Sequence, residues 1–275
     1  MEASPRVVCP CCRHRTLRER GAFEICPVCS WEDDGQDESD AGVVRGGPNG
    51  GLSLTQAQAN FRTFGASDHA RGQRLERWRD TWRELGARRA DDALFHRLLA
   101  CYDERHRHYH TLQHLTECLG QLDDLRACAE RPAEVEVALW FHDAIYAPRK
   151  HDNEQRSAEW ARDSVLAAGA DTTVAARIHE LVLATRHRAV PARRDAEVLV
   201  DVDLAILGAE PARFDEYEEQ VRREYTWVPE ILYRRERRKV LLEFAQRAAI
   251  YSTAPARAAR ETQARSNLAR SLARL

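Results

Sequence analysis

The sequence predicts a mainly all-α protein with a small cysteine-rich domain at its N-terminal end. Three observations carry this reading. Five of the eight cysteines, Cys9, Cys11, Cys12, Cys26 and Cys29, fall within the first thirty residues. From about residue 70 onward, apolar residues recur at helical spacing and no run reads as a strand. The chain has 275 residues, enough for one large domain beside a small one. The expected division is 1–66 for the cysteine-rich domain, 67–73 for a short polar linker and 74–275 for the helical body.

Composition sets outer limits. Lys and Arg total 42 against 44 Asp and Glu, a formal net charge of -2, which argues against a general polyanion binder. No run approaches the ~18 apolar residues of a membrane span, and residues 1–30 lack the apolar core of a signal peptide. The expectation is a cytoplasmic protein with no membrane partner. In that reducing setting the clustered cysteines read as metal ligands rather than disulfides. Cys101, Cys118 and Cys128, scattered through helical pattern, read as small buried side chains.

Taken in order, Cys9-Pro-Cys-Cys12 and Cys26-Pro-Val-Cys29 are two C-x2-C knuckles separated by thirteen residues. Each places two thiolates on one side of a tight turn, and two knuckles complete a tetrahedral zinc site from Cys9, Cys12, Cys26 and Cys29. Gly21 permits a tight hairpin between Leu17 and Ile25. A redox dithiol is the competing reading, weakened by the absence of a surrounding βαβ pattern. Cys11 is the odd thiol, expected to be a non-ligand or an alternate to a neighbour. An acidic turn follows at Trp31–Asp37, then the turn-rich Gly46–Gly51. Leu52–Gln58 reads as a helix start with Ser53 or Thr55 as N-cap. The CPCC start, ICPVCSWEDDGQD, GGPNGG and LSLTQAQANF together resemble the cysteine-rich CPCC family over residues 9–66. That family has no known function, so the resemblance supplies a zinc-ribbon-like fold unit and little chemistry. GGPNGG lacks the Lys-Ser/Thr ending and preceding strand of a phosphate loop.

Beyond the linker, Leu75, Trp78, Trp82 and Leu85 share one helical face, as do Leu94, Leu98, Cys101 and Tyr102. Leu115, Cys118, Leu119 and Leu122 extend a helix from His114. Pro132 stands where a helix begins, and Asp152 or Asn153 is placed to cap the next one. Another helix runs through Ile178, Leu181, Val182 and Thr185, ending near Pro191. Later helices are expected at roughly 196–207, 211–224, 229–247 and 255–274.

The chemistry centres on Ala138-Leu139-Trp140-Phe141-His142-Asp143-Ala144-Ile145-Tyr146, an apolar run with a His-Asp pair in its last turn. Burying such a pair is costly without a cation or a hydrogen-bond network, and imidazole with carboxylate suits a divalent metal. Polar residues are embedded in apolar pattern again at Tyr109–Leu115 and Leu199–Leu204. An isolated His-Asp dipeptide more often merely caps a helix; the ordered set of three motifs shifts the balance. The order His, His-Asp, distant Asp resembles the HD superfamily of metal-dependent phosphohydrolases. YHTLQHL, ALWFHDAIY, DNEQRSAEWA, LVLATRH and DVDLAILG look like its predicted metal-dependent phosphohydrolase family, from about Leu75 to the C-terminus.

The resemblance implies an HD-domain helical bundle in which His114, His142, Asp143 and Asp203 bind one catalytic ion (Mn, Mg, Fe, Co or Zn). Asp203 is chosen over Asp201 because it directly precedes Leu204; Asp201 is then expected to hydrogen-bond a ligating histidine. Glu154 is the candidate for orienting or deprotonating the attacking water, with Asp143 the catalytic carboxylate on the metal; a first-turn Glu that merely suits the helix dipole is the rival reading. His110, Lys150, Arg186 and His187 are candidate substrate contacts, since cationic and imidazole donors suit phosphate. Solvated surface charge is the rival reading for Lys150 and Arg186. His106 and His108 read as solvated loop residues. Arg188 stands where the family usually carries a second histidine beside His187, which speaks against a two-metal mechanism.

The expected function is hydrolysis of a phosphate ester or anhydride, in a small nucleotide-like substrate, by metal-activated water. The alternative is a non-catalytic nucleotide sensor or partner-binding protein using the same pocket and the zinc module. Glu32-Asp33-Asp34 and Asp37-Glu38 flank the ribbon with negative charge, which argues against a nucleic-acid partner.

Overall fold

In a computed structural model describing residues 6–275, the chain divides into two compact units. One takes in the chain through Glu84 together with Arg89–Arg97. The other comprises Leu85–Arg88 and Leu98–Leu275. The first five residues of the segment 1–66 lie outside the described residues. Among the described residues, no helix is long and apolar enough to cross a membrane.

In the first unit, β1 (Val7–Val8) pairs antiparallel with β2 (Arg15–Leu17). The two cysteine knuckles close in the same way. Arg13 follows Cys12 and Ser30 follows Cys29, each with positive φ, 64° and 63°. Arg13 N–H donates to Cys9 O and Ser30 N–H to Cys26 O, so each turn folds back over its own thiols. Gly21 has φ 70°, which favours glycine, and an added Cβ there would lie a tight 3.3 Å from the Gly35 backbone. Asp33, read from the sequence as part of an acidic turn, is fully buried. Its carboxylate takes Arg20 Nε at 2.8 Å and Gly21 N–H at 2.9 Å. The charge on that face is therefore smaller than the sequence count. Asn49 bonds both the N–H and the carbonyl of Glu32, which gives the glycine-rich loop its fixed position.

α1 (Leu54–Phe64) starts on Ser53, with a complete Ser53/Gln56 capping box, and stops at left-handed Gly65. The compositional break at 67–73 is not a structural break. α2 (His69–Glu84) begins inside it, Ser67 N–H bonds Cys29 O, and Asn60 bonds Ser67 O. Gly72 packs so tightly on Phe64 that a Cβ would come within 2.6 Å of the ring. Trp78 and Trp82 are buried, Trp78 stacking obliquely on Phe95 of α3 (Asp92–Tyr102). The apolar stripe of α2, assigned by sequence to the helical body, thus lies in the first compact unit, packed against Phe95.

The second unit is helical throughout its regular structure. α4 (Leu112–Leu125), α5 (Pro132–Phe141), α6 (Asn153–Ala167), α7 (Thr172–Ala184) and α8 (Arg194–Asp203) follow the second half of α3. A 3₁₀ turn (Leu204–Gly208) continues α8, then α9 (Pro211–Glu224), α10 (Glu230–Ala245) and α11 (Ala254–Arg274). α5 is buried over Ala133–Phe141, the signature of a central helix, and α4, α6, α7 and α8 pack around it. The turn after α8 lies under α11: at Gly208 a Cβ would meet Arg260 and the Tyr251 hydroxyl below 3.0 Å. Asp152 occupies the N-cap position of α6 without a side-chain bond; Asn153 instead clamps Ala147 through its N–H and carbonyl.

Candidate metal centres

The four thiols of Cys9, Cys12, Cys26 and Cys29 are buried and converge, with Cys9 Sγ 3.6 Å from Cys29 Sγ and Cys12 Sγ 3.5 Å from Cys26 Sγ. A tetrahedron with Zn–S bonds of 2.3 Å has sulfur–sulfur edges of about 3.8 Å, so the set is consistent with one structural zinc. Cys11 is buried beside the cluster but is not one of the four. Thr16 Oγ1 and Val28 N–H also contact Cys26 Sγ, as partners that stabilise thiolate charge.

The second centre is assembled at the ends of α5 and α8 and the start of α4. His142 directly follows α5, and its Nδ1–H donates to Leu139 O at 2.7 Å, which leaves Nε2 to face the cluster. That Nε2 lies 3.1 Å from His114 Nε2, 2.9 Å from Asp143 Oδ2 and 3.7 Å from Asp203 Oδ1. His114 Nε2 is 3.5 Å from Asp143 Oδ2 and 3.3 Å from Asp203 Oδ1. Two ring nitrogens facing each other at this distance need a proton or a cation between them. With two carboxylates around them, the donor set fits a divalent ion.

Electrostatics agree. Burial opposes charge on Asp143, yet His142, His110 and His114 hold its carboxyl well below the usual range. Burial likewise opposes charge on the partly buried Asp203, and bonds from His114 and His187 with the His142 charge hold it low. His142 would be lowered by burial, but Asp143 and Asp203 raise it to about 9. Such mutual stabilisation is the electrostatic condition a cation would exploit.

Cys118 belongs to this cluster and was read from the sequence only as packing. One turn beyond His114, its Sγ lies 3.7 Å from both nitrogens of that ring, and His114, Cys118, His142 and Asp203 form a group able to hold a metal. The i, i+4 spacing of His114 and Cys118 was the available signal.

The other expected site residues are distributed as follows. His187, with left-handed φ of 54°, turns its Nε2 onto Asp203 Oδ2 at 3.0 Å, the far oxygen from His114. Arg186 bonds Gln155, and Lys150 is exposed. Glu154 is half-buried in the first turn of α6, and the bonds that knit the cluster do not include it. Asp201 does not reach a histidine: its two oxygens accept Ser252 and Thr253 N–H at 2.7 Å each, at the start of α11. Its position two residues from Asp203 on a helix turns it to another side. His110 sits one turn before His114, with Nδ1 2.7 Å from Glu224 Oε2. His106 and His108 are exposed as expected, but His106 Nε2 also contacts Tyr146 O at 2.8 Å.

Two organising residues were given no role from the sequence. Arg107, almost fully buried, reaches Asp143 O at 2.6 Å, Ala144 O at 3.0 Å and His110 O at 3.2 Å, pinning the turn that carries Asp143. Ser157 Oγ accepts Ile145 N–H, fixing the same turn from α6. A separate groove of about 1070 Å³ between α7, α8 and the start of α11 contains none of these residues. Its charges are largely paired, Arg177 with Glu134 and Arg131 with Asp195.

The molecule therefore combines a four-cysteine module with a helical domain enclosing an imidazole–carboxylate–thiol cluster. The family model described as cysteine-rich CPCC matches residues 7–84, which runs to the end of α2. No curated protein and no solved structure matches the chain.

Proposed function

We propose that the helical unit is a metal-dependent phosphohydrolase of the HD-superfamily type, acting on a small phosphorylated substrate such as a nucleotide. The observation that carries the reading is the 3.1 Å approach of His114 Nε2 to His142 Nε2 between the carboxylates of Asp143 and Asp203. His114, His142, Asp143 and Asp203 would hold the ion, with Cys118 a further donor within reach. A divalent cation bound there supplies Lewis acidity to a phosphoryl oxygen and lowers the proton affinity of water.

The chain's own groups do the rest. Leu139 O fixes the His142 ring through Nδ1, and His187 holds Asp203 through the carboxylate oxygen that faces away from His114. Glu154 shares a helix face with Ser157, whose hydroxyl bonds Ile145 two residues after Asp143. That placement supports the reading of Glu154 as the carboxylate that would orient the attacking water and take its proton. Arg186 and Lys150 supply positive charge for the phosphate.

The test is metal analysis of the purified full chain, then a phosphate-release screen against nucleotides with Mn, Mg, Co and Fe. Release abolished by chelator and restored by a divalent ion is expected. Tight nucleotide binding without turnover under every metal would establish the sensor instead.

A further inference from the structure

Glu224, the last residue of α9, has a fully buried side chain and takes five hydrogen bonds. Oε1 accepts three consecutive backbone N–H groups, from His108 at 2.7 Å, Tyr109 at 2.8 Å and His110 at 3.0 Å. Oε2 accepts His110 Nδ1–H at 2.7 Å and the Tyr146 hydroxyl at 2.8 Å. A buried carboxylate is tolerated only when so compensated. Burial raises its pKa, but His110 and the backbone donors overcome this and hold it at about 2.

The effect falls on one ring. His110 is bonded through Nδ1 and stacked on Tyr146 at 4.0 Å and 27°, and it stands edge-on to His114 at 6.1 Å. Its side chain keeps 22% of its exposure, and Nε2 is the ring nitrogen left for an outside partner. A loop clamp alone would need only the three backbone bonds. The second oxygen is spent on the imidazole and on the tyrosine that stacks against it.

We propose that Glu224, with Tyr146, is a positioning residue that fixes His110 so that Nε2 contacts the phosphoryl group bound at the His114–His142–Asp203 cluster. This rests on the phosphohydrolase reading above. The ligand chemistry is an oxyanion of phosphorus, met by an imidazole whose opposite nitrogen is braced on a carboxylate, as in other oriented histidines.

The experiment measures orthophosphate binding to the manganese-loaded full chain by calorimetry, with metal content determined in parallel. The variants are Glu224→Gln, His110→Gln, their double variant and Tyr146→Phe. Glu224→Gln and His110→Gln should each weaken orthophosphate binding about tenfold at unchanged manganese content. The double variant should be no weaker than either single one, because Glu224 acts through His110. Tyr146→Phe leaves the backbone bonds alone, so it keeps the test open if Glu224→Gln fails to fold; a weakening of a few-fold, absent in a His110→Gln background, is expected. Wild-type affinity in these variants, additive losses, or no orthophosphate binding by the wild type would each overturn the inference. Coupled losses in a protein that turns over no substrate would uphold it while overturning the hydrolase reading. Turnover indifferent to Glu224 and His110 would do the reverse.

Discussion

Asp201 and Asp203 stand two residues apart at the end of α8, and their carboxylates serve different parts of the fold. Asp203 lies 3.3 Å from His114 Nε2 and 3.0 Å from His187 Nε2, inside the metal-type cluster. Asp201 accepts the backbone N–H groups of Ser252 and Thr253 and so holds the start of α11. One helix end thus joins the chemistry to the packing of the C-terminal helix.

Substitution should separate these roles. Asp203→Ala is expected to abolish divalent-ion binding at the second centre while leaving the helical circular dichroism in place. Asp201→Ala should keep the ion and lose about 1–3 kcal/mol of stability, the cost of leaving buried backbone donors unpaired. Metal titration and denaturant unfolding of both variants check this. An empty site in Asp201→Ala would reverse the assignment.

The four-cysteine centre should be independent in its ion. Cys26→Ser in the full chain is expected to lower zinc content by one equivalent and to destabilise the first unit, with the ion at the second centre retained. Cutting the chain at residue 72 is not an equivalent experiment, because α2 would lose the Phe64 ring that Gly72 packs against. Unchanged zinc in Cys26→Ser would remove this residue from the ligand set.

Cys118 should tune metal preference. Burial and the charges of Asp203 and Asp143 push its thiol well above the ordinary value, so the proton leaves only for a strong competitor. Soft, thiophilic ions supply that competition and hard ones do not. Cys118→Ala is expected to weaken zinc and cobalt binding more than manganese or magnesium binding. Equal losses for all four ions would mark Cys118 as packing alone.

The first unit should be acid-sensitive through His96. Ser30 Oγ lies 2.8 Å from His96 Nδ1, and Nε2 is buried without a hydrogen-bond partner among the described residues. Burial lowers its pKa to about 4 from 6.5. The unfolded chain therefore takes up the proton first. Stability is fully present above pH 6.5 and is lost as pH falls towards about 4, by roughly 3 kcal/mol at most. His96→Gln should flatten the unfolding midpoint over that window, relative to the wild type measured with the same zinc content. Identical pH slopes would show that His96 does not carry the effect.

Sequence by itself determined what depends on local chemistry. The C-x2-C spacing brought four thiols together, because each knuckle is a turn complete in a few residues. Ser53 and Pro132 marked helix starts because capping and the missing proline N–H act within one turn. Periodicity gave the helices of the second unit, and the His-Asp pair at the end of an apolar helix pointed to the buried cluster. Tertiary structure decided what depends on partners distant in the chain. Glu224 carries no motif; it matters because folding brings it to His110, 114 residues away. Arg107 reads as one charge among many until its guanidinium meets the carbonyls of Asp143 and Ala144. Asp33 counts as surface charge until Arg20 and the Gly21 amide bury it. The apolar stripe of α2 announces a helix but not the core it joins, since Trp78 and Trp82 would suit either one. Periodicity records that a face is buried; only the packed chain decides against what, because the hydrophobic effect has no direction of its own.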